Sequence, residues 1–152
     1  MSLKDTILNP GKHCPGTSIG LLILRVIPGL MLLTHGWSKL TGFGSLSDKF
    51  PDPLGVGSAF SLVLAIFAEV FCSLAVAAGI GTRVAAIPVI ITMTVAAFMV
   101  HGDDPWAKKE FALMYAIPFL ALMFTGAGRY SIDAIVCKAR GYITKNEEPP
   151  AN

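Results

Sequence analysis

A glutamate stands almost alone in a long apolar stretch: between Pro53 and Thr82 the only Lys, Arg, Asp or Glu is Glu69. Arg25 is equally isolated between His13 and Ser38. Ionisable groups in such segments are expensive to keep, so each is a candidate functional site. A carboxylate there can carry a proton or neutralise a buried cation. His35 and Lys39 lie one helical turn apart, and His101 and Glu110 bracket a short polar stretch further on. Histidine titrates near neutral pH and passes protons readily. Two His and two Glu could in principle ligate a metal. Their spacing, however, is not a local ligand motif of the HExxH kind, and no metal is expected.

Those residues must be placed by membrane helices. The chain has 152 residues, 53% apolar even without its 15 Gly, only 14% charged, and a mean hydropathy of +0.63. That excludes a disordered chain and leaves too few charges to cover a soluble surface. A net charge of +2 without a basic stripe argues against nucleic acid. Cys14, Cys72 and Cys137 form no disulfide framework, zinc pattern or CxxC pair. Four charge-poor segments, about 19–40, 58–80, 83–101 and 110–127, each approach the roughly 20 residues a bilayer crossing needs. The expected fold is all-α, a polytopic four-transmembrane-helix bundle. Residues 1–18 form a lead, 19–127 the membrane domain, and 128–152 a short interfacial segment with a disordered tail. The first segment has no cleavage site of the signal-peptide type. Lys4, Lys12, Arg83, Arg129, Lys138, Arg140 and Lys145 fall on one side of this topology, against Lys39, Lys49, Lys108 and Lys109 on the other. The positive-inside rule then puts both termini in the cytoplasm.

In that frame Arg25 and Glu69 are expected to pair, each neutralising the other. Ala65, Glu69, Cys72, Ser73 and Val76 share one side of the second helix, a small and polar face suited to helix packing in lipid. Gly29 and Gly36 allow the first helix to come close, and Pro28, Pro88 and Pro118 interrupt three helices. His35, Lys39, His101 and Glu110 gather at the outer ends of the helices with Trp37 and Trp106, making a polar pocket with Glu69 deeper beneath it. A purely structural account makes Arg25–Glu69 a packing clamp and Trp37, Lys39 and Trp106 headgroup anchors.

The stretches LLILRVIPGLMLLTHGWSKLTGFG, AEVFCSLAVAAGIGTRVAA and KEFALMYAIPFLALMFTGAGRYSID, in that order, resemble the DoxX family of small four-helix bacterial membrane proteins. The resemblance covers about residues 18–136. It implies an inner-membrane protein, with relatives among the small subunits of thiosulfate:quinone oxidoreductases and other membrane redox or oxidative-stress complexes. Its recurring polar positions look like Arg25, His35, Gly36, Lys39, Glu69, Arg83, His101, Glu110, Arg129 and Asp133. The expectation is a membrane subunit of a redox system, with Glu69, His35, His101 and Glu110 as catalytic candidates. His35, Trp37, Lys39 and Trp106 would hold a ligand. The chain carries no haem ligand pair, flavin motif or iron–sulfur cysteine set. The cofactor would be a lipid-soluble quinone or belong to a partner oxidoreductase subunit, and a homo-oligomer fits equally. Two alternatives differ in class: a small proton-coupled transporter using Glu69, and a scaffold without chemistry.

Overall fold

The computed structural model describes residues 15–139. Among the described residues six helices follow one another: α1 (Pro15–Thr41), α2 (Phe43–Leu46), α3 (Ser58–Ala78), α4 (Thr82–Val100), α5 (Trp106–Thr125) and α6 (Ile132–Ala139). No strand occurs among the described residues. The extreme termini, including Cys14 and the tail expected to be disordered, lie outside the described residues. Helices α1, α3 and α4 are long and apolar enough to cross a membrane. The 20-residue α5 has the length, but Lys108, Lys109 and Glu110 occupy its first turns.

The buried face of α1 is a stripe at three- and four-residue spacing: Ser18, Leu21, Arg25, Gly29, Leu32 and Gly36. It packs chiefly against α3, and α4 packs chiefly against α5. Leu32, Val76, Val89, Phe119 and Leu122 form the centre of the core. The outside is apolar too: Phe71, Ile91, Phe98, Met114 and Phe124 are all exposed. A soluble monomer rarely shows so much contiguous apolar surface, whereas a bilayer requires it.

The small residues expected to bring α1 and α3 together do so. A Cβ on Gly36 would lie 2.7 Å from Val70 Cγ2 and 2.8 Å from both the carbonyl carbon and Cβ of Glu69. No real Cβ is tolerated at that range, so Gly36→Ala must push α1 off α3 exactly where Glu69 sits. Overpacking of this kind costs about 1–3 kcal/mol. Thermal unfolding of Gly36→Ala in detergent is expected to show a loss in that range.

At the opposite end of the bundle, α3 stops at Gly79 (φ +75°). The Ile80 amide donates to the Ala75 carbonyl at 2.9 Å and the Gly79 amide to Val76 at 3.0 Å, a Schellman ending. Helix α4 then begins without a cap from its own neighbours. The Asp133 carboxylate, more than fifty positions away in sequence, accepts from the amides of Gly81 (2.8 Å) and Thr82 (3.2 Å). This anion at a helix N-terminus anchors α6 to the bundle. The segment expected to lie along the membrane surface is thus a helix that buries Asp133, Ala134 and Cys137 and leaves Ile135 exposed.

Candidate functional site

Glu69 is 3% exposed, and its partner is Lys39, whose side chain is 27% exposed. Lys39 Nζ donates to both carboxylate oxygens. The pair forms because Gly36 lets α1 touch the backbone of Glu69, and Lys39 stands one turn beyond Gly36. The backbone of α3 widens into a π-helix over Phe67–Cys72, centred on this glutamate. Such segments insert a wider turn into an α-helix and recur at functional sites. Ser73, fully buried, donates to the carbonyls of Glu69 and Val70.

The expected Arg25–Glu69 pair is not formed. Along α1, Arg25 lies eleven residues below Gly36, about 16 Å at the rise of an α-helix, so its side chain belongs to the other end of the bundle. There Arg25 Nη2 donates to the Tyr130 carbonyl, and Asp133 supplies the nearby negative charge. Two buried atoms, Arg25 Nε and Nη1, have no hydrogen-bond partner among the described residues. The arginine therefore ties α1 to the segment leading into α6.

A half-open cavity of about 540 Å³ adjoins the Lys39–Glu69 pair. Its walls come from α3 and α4, and the loop residues Phe50, Pro51, Pro53 and Leu54 complete the lining. The lining is mostly apolar. Polar groups enter from Lys39, Glu69, Ser61, Thr92 and His101. That volume and that mixture are typical of small-molecule sites. The α4 wall contains Pro88 and ends in a second π-helix, Ala96–Val100, directly before His101. His101 Nδ1 lies 2.7 Å from Asp104 Oδ2, and Lys108 Nζ lies 3.2 Å from the other Asp104 oxygen. The hydrogen bond from His101, then that from Lys108, hold the Asp104 carboxyl below its ordinary range.

The loop over the cavity is organised by Asp52. Its carboxylate accepts from the Ser61 hydroxyl (2.8 Å) and from the amides of Gly57 (2.7 Å) and Val56 (3.0 Å). The Ser61 bond, followed by the Gly57 bond, lowers the Asp52 pKa. A carboxyl whose native pKa is depressed stabilises the fold above its unfolded pKa and loses that contribution as pH falls through the native one. Amide-exchange protection at Val56 and Gly57 is therefore expected to be flat near neutrality and to fall only at acid pH, below the ordinary carboxyl range. In Asp52→Ala it is expected to be low throughout.

Of the residues expected to share one pocket, Lys39, Glu69 and His101 line this cavity, and His35, Glu110, Trp37 and Trp106 do not. His35 sits on the α5 side of α1, its ring edge-on to Phe111 (5.6 Å) and Tyr115 (5.8 Å). It falls one position short of Gly36, about 100° around the helix from the buried stripe. Glu110, Trp37 and Trp106 are exposed. Among the described residues no three His, Cys, Asp or Glu cluster as metal ligands would. Asp52 and Asp104 escaped sequence inspection, because each acts through loop geometry that no short motif encodes.

Apolar helices with an apolar exterior, and a part-buried ion pair beside a cavity, define a helical membrane protein with a polar site in its interior. The chain belongs to the DoxX family, whose model matches residues 20–102, a span that contains Arg25, Lys39, Glu69 and His101. It is 30% identical over 124 residues to the inner membrane protein YqjF of Escherichia coli, covering 79% of this chain and 94% of the relative. It is 28% identical over 139 residues to a protein of Haemophilus influenzae, covering 86% of this chain and 91% of that one. A Bacillus subtilis protein named "Putative oxidoreductase CatD" is 29% identical over 123 residues, covering 80% of this chain and 90% of the relative. No solved structure gives a significant match. The chain is a bacterial membrane protein of this family.

Proposed function

We propose that the chain is the membrane subunit of a quinone-linked redox or oxidative-stress system, and that the cavity between α3 and α4 receives the quinone head. The observation that carries this reading is a largely apolar cavity of about 540 Å³ with the part-buried Lys39–Glu69 pair in its wall. A quinone brings two carbonyl acceptors and, when reduced, takes up protons. Lys39 has three N–H donors, and the two Glu69 oxygens engage at most two, so one is left for a carbonyl. Glu69 orients that ammonium through both carboxylate oxygens and stands within the cavity wall beside the quinone head. His101, held by Asp104 at the cavity end near Lys108, is suited to exchange protons with the surface. Electrons come from a partner subunit. The oxidoreductase name of the Bacillus subtilis relative agrees with this reading.

In the membrane, α5 makes the fourth crossing, with Lys108, Lys109 and Glu110 at the interface. Both termini lie in the cytoplasm, with Arg83, Arg129 and Lys138 on the positive side. The cavity end, carrying His101 and the Asp52 loop, then faces outward.

The test is organic extraction of the purified full chain, with bound quinone measured by absorbance and mass spectrometry. Near-stoichiometric quinone, lost in Glu69→Gln, is expected. Well-folded protein without quinone would sink the redox reading. Substrate-dependent proton flux in liposomes that disappears in Glu69→Gln would put a proton-coupled transporter in its place.

A further inference from the structure

Of the cavity-lining residues on the helices, three are strongly exposed: Leu64 and Phe67 of α3, at 39% and 49%, and Ile91 of α4, at 56%. They form an apolar rim. Each continues an exposed apolar strip along its own helix, Leu64–Phe67–Phe71 on α3 and Ile87–Ile91–Phe98 on α4. Strips of this kind meet acyl chains, because nothing else in a bilayer solvates them. The loop end is different. There Phe50, Pro51, Pro53 and Leu54 line the cavity, Leu54 being itself 52% exposed, and Asp52 clamps this loop through Val56, Gly57 and Ser61. The cavity thus borders two exposed apolar strips between α3 and α4, and its other end is lined by a loop held in place by hydrogen bonds. Two backbone irregularities border the strips. The π-helix of α3 starts at Phe67, and Pro88, a lining residue without an amide hydrogen, lies one turn before Ile91.

We propose that the ligand enters from the bilayer between Phe67 and Ile91 and leaves its tail in that gap, so that these two residues select for tailed, lipid-borne ligands. The head reaches the Lys39–Glu69 pair and the chain remains among the lipid tails. This rests on the quinone-head assignment of the cavity and adds the route and the selectivity. A water-borne ligand of the same head chemistry would approach past the clamped loop instead.

The test uses the full chain in phosphatidylcholine nanodiscs, titrated with three benzoquinones of one head: tail-less, decyl-tailed and polyprenyl-tailed. Affinities are expressed per mole of lipid, so that partitioning cancels between variants. Ile91→Trp fills the gap. It is expected to weaken both tailed quinones by about tenfold or more, and the tail-less one by less than about twofold, as steric discrimination in an apolar pocket allows. Retained head binding also shows that the variant is folded. Adding Phe67→Ala to Ile91→Trp reopens the gap and is expected to restore tailed binding. An equal loss for all three ligands, or no loss for any, overturns the lateral route while leaving the head site standing. Failure of wild-type protein to bind any of the three overturns the quinone assignment itself, and the route with it.

Discussion

Lys39→Met is expected to cost about 3 kcal/mol of stability, the lower end of what removing one partner of a buried ion pair costs. The loss comes mainly from what stays behind. Glu69 is 3% exposed, and without Lys39 its carboxylate has no cation to balance it. Lys39 itself is 27% exposed, which keeps the expected loss at that lower end. The double variant Lys39→Met/Glu69→Leu is expected to recover most of it, since an apolar pair of similar volume removes both charges together. Reversible unfolding of wild type, both single variants and the double in mixed micelles gives the coupling energy directly. Additive single losses would mean that the two side chains do not act as a pair.

Gly79→Ala is the second large effect, expected at about 2–4 kcal/mol from a left-handed alanine combined with overpacking. A Cβ at Gly79 would lie 2.0 Å from Arg25 Nη1 and 2.5 Å from Ser131 Cβ, and φ is +75°. Arg25 cannot retreat without giving up the Tyr130 carbonyl, and Ser131 cannot move without its bonds to the Gly128 carbonyl (2.7 Å) and the Ala134 amide (3.1 Å). The substitution is therefore expected to loosen α6 first, visible as faster proteolysis after Gly126. Gly20→Ala is the control. Nothing lies within 4 Å of its would-be Cβ inside α1, and alanine there is expected to gain about 0.5–1 kcal/mol. Equal behaviour of the two variants would contradict the packing described for Gly79.

The long helices were legible because charge is absent from them. The gaps at 19–40, 58–80, 83–101 and 110–127 fall on α1, α3, α4 and α5 with shifts of a few residues. The partner of Glu69 was harder to find, yet the signal was present. The stripe Arg25, Gly29, Leu32, Gly36 extends by three residues to Lys39, and Gly36 is the position where α1 touches Glu69. That periodicity selects Lys39 and passes over His35. Mutual charge neutralisation favoured Arg25, because it ignores the register between two helices, which close glycine contacts fix. Other parts have little sequence signal or none. The π-helices at Phe67–Cys72 and Ala96–Val100 arise from one widened turn that residue types do not announce. The Asp133 cap on α4 joins residues about fifty positions apart, so that Asp133 shows in the sequence as a recurring polar position while its partners do not.

The central claim is that Lys39, held by Glu69, hydrogen-bonds a quinone carbonyl inside the cavity. Infrared difference spectroscopy of carbonyl-labelled quinone, bound to the full chain in nanodiscs, tests it most directly. One carbonyl band is expected to move to lower frequency than in protein-free nanodiscs. In Lys39→Met/Glu69→Leu, which keeps the fold without the charges, that band is expected to return to its lipid position. A band already at the lipid position in wild type, or a shifted band that survives in the double variant, would contradict the account.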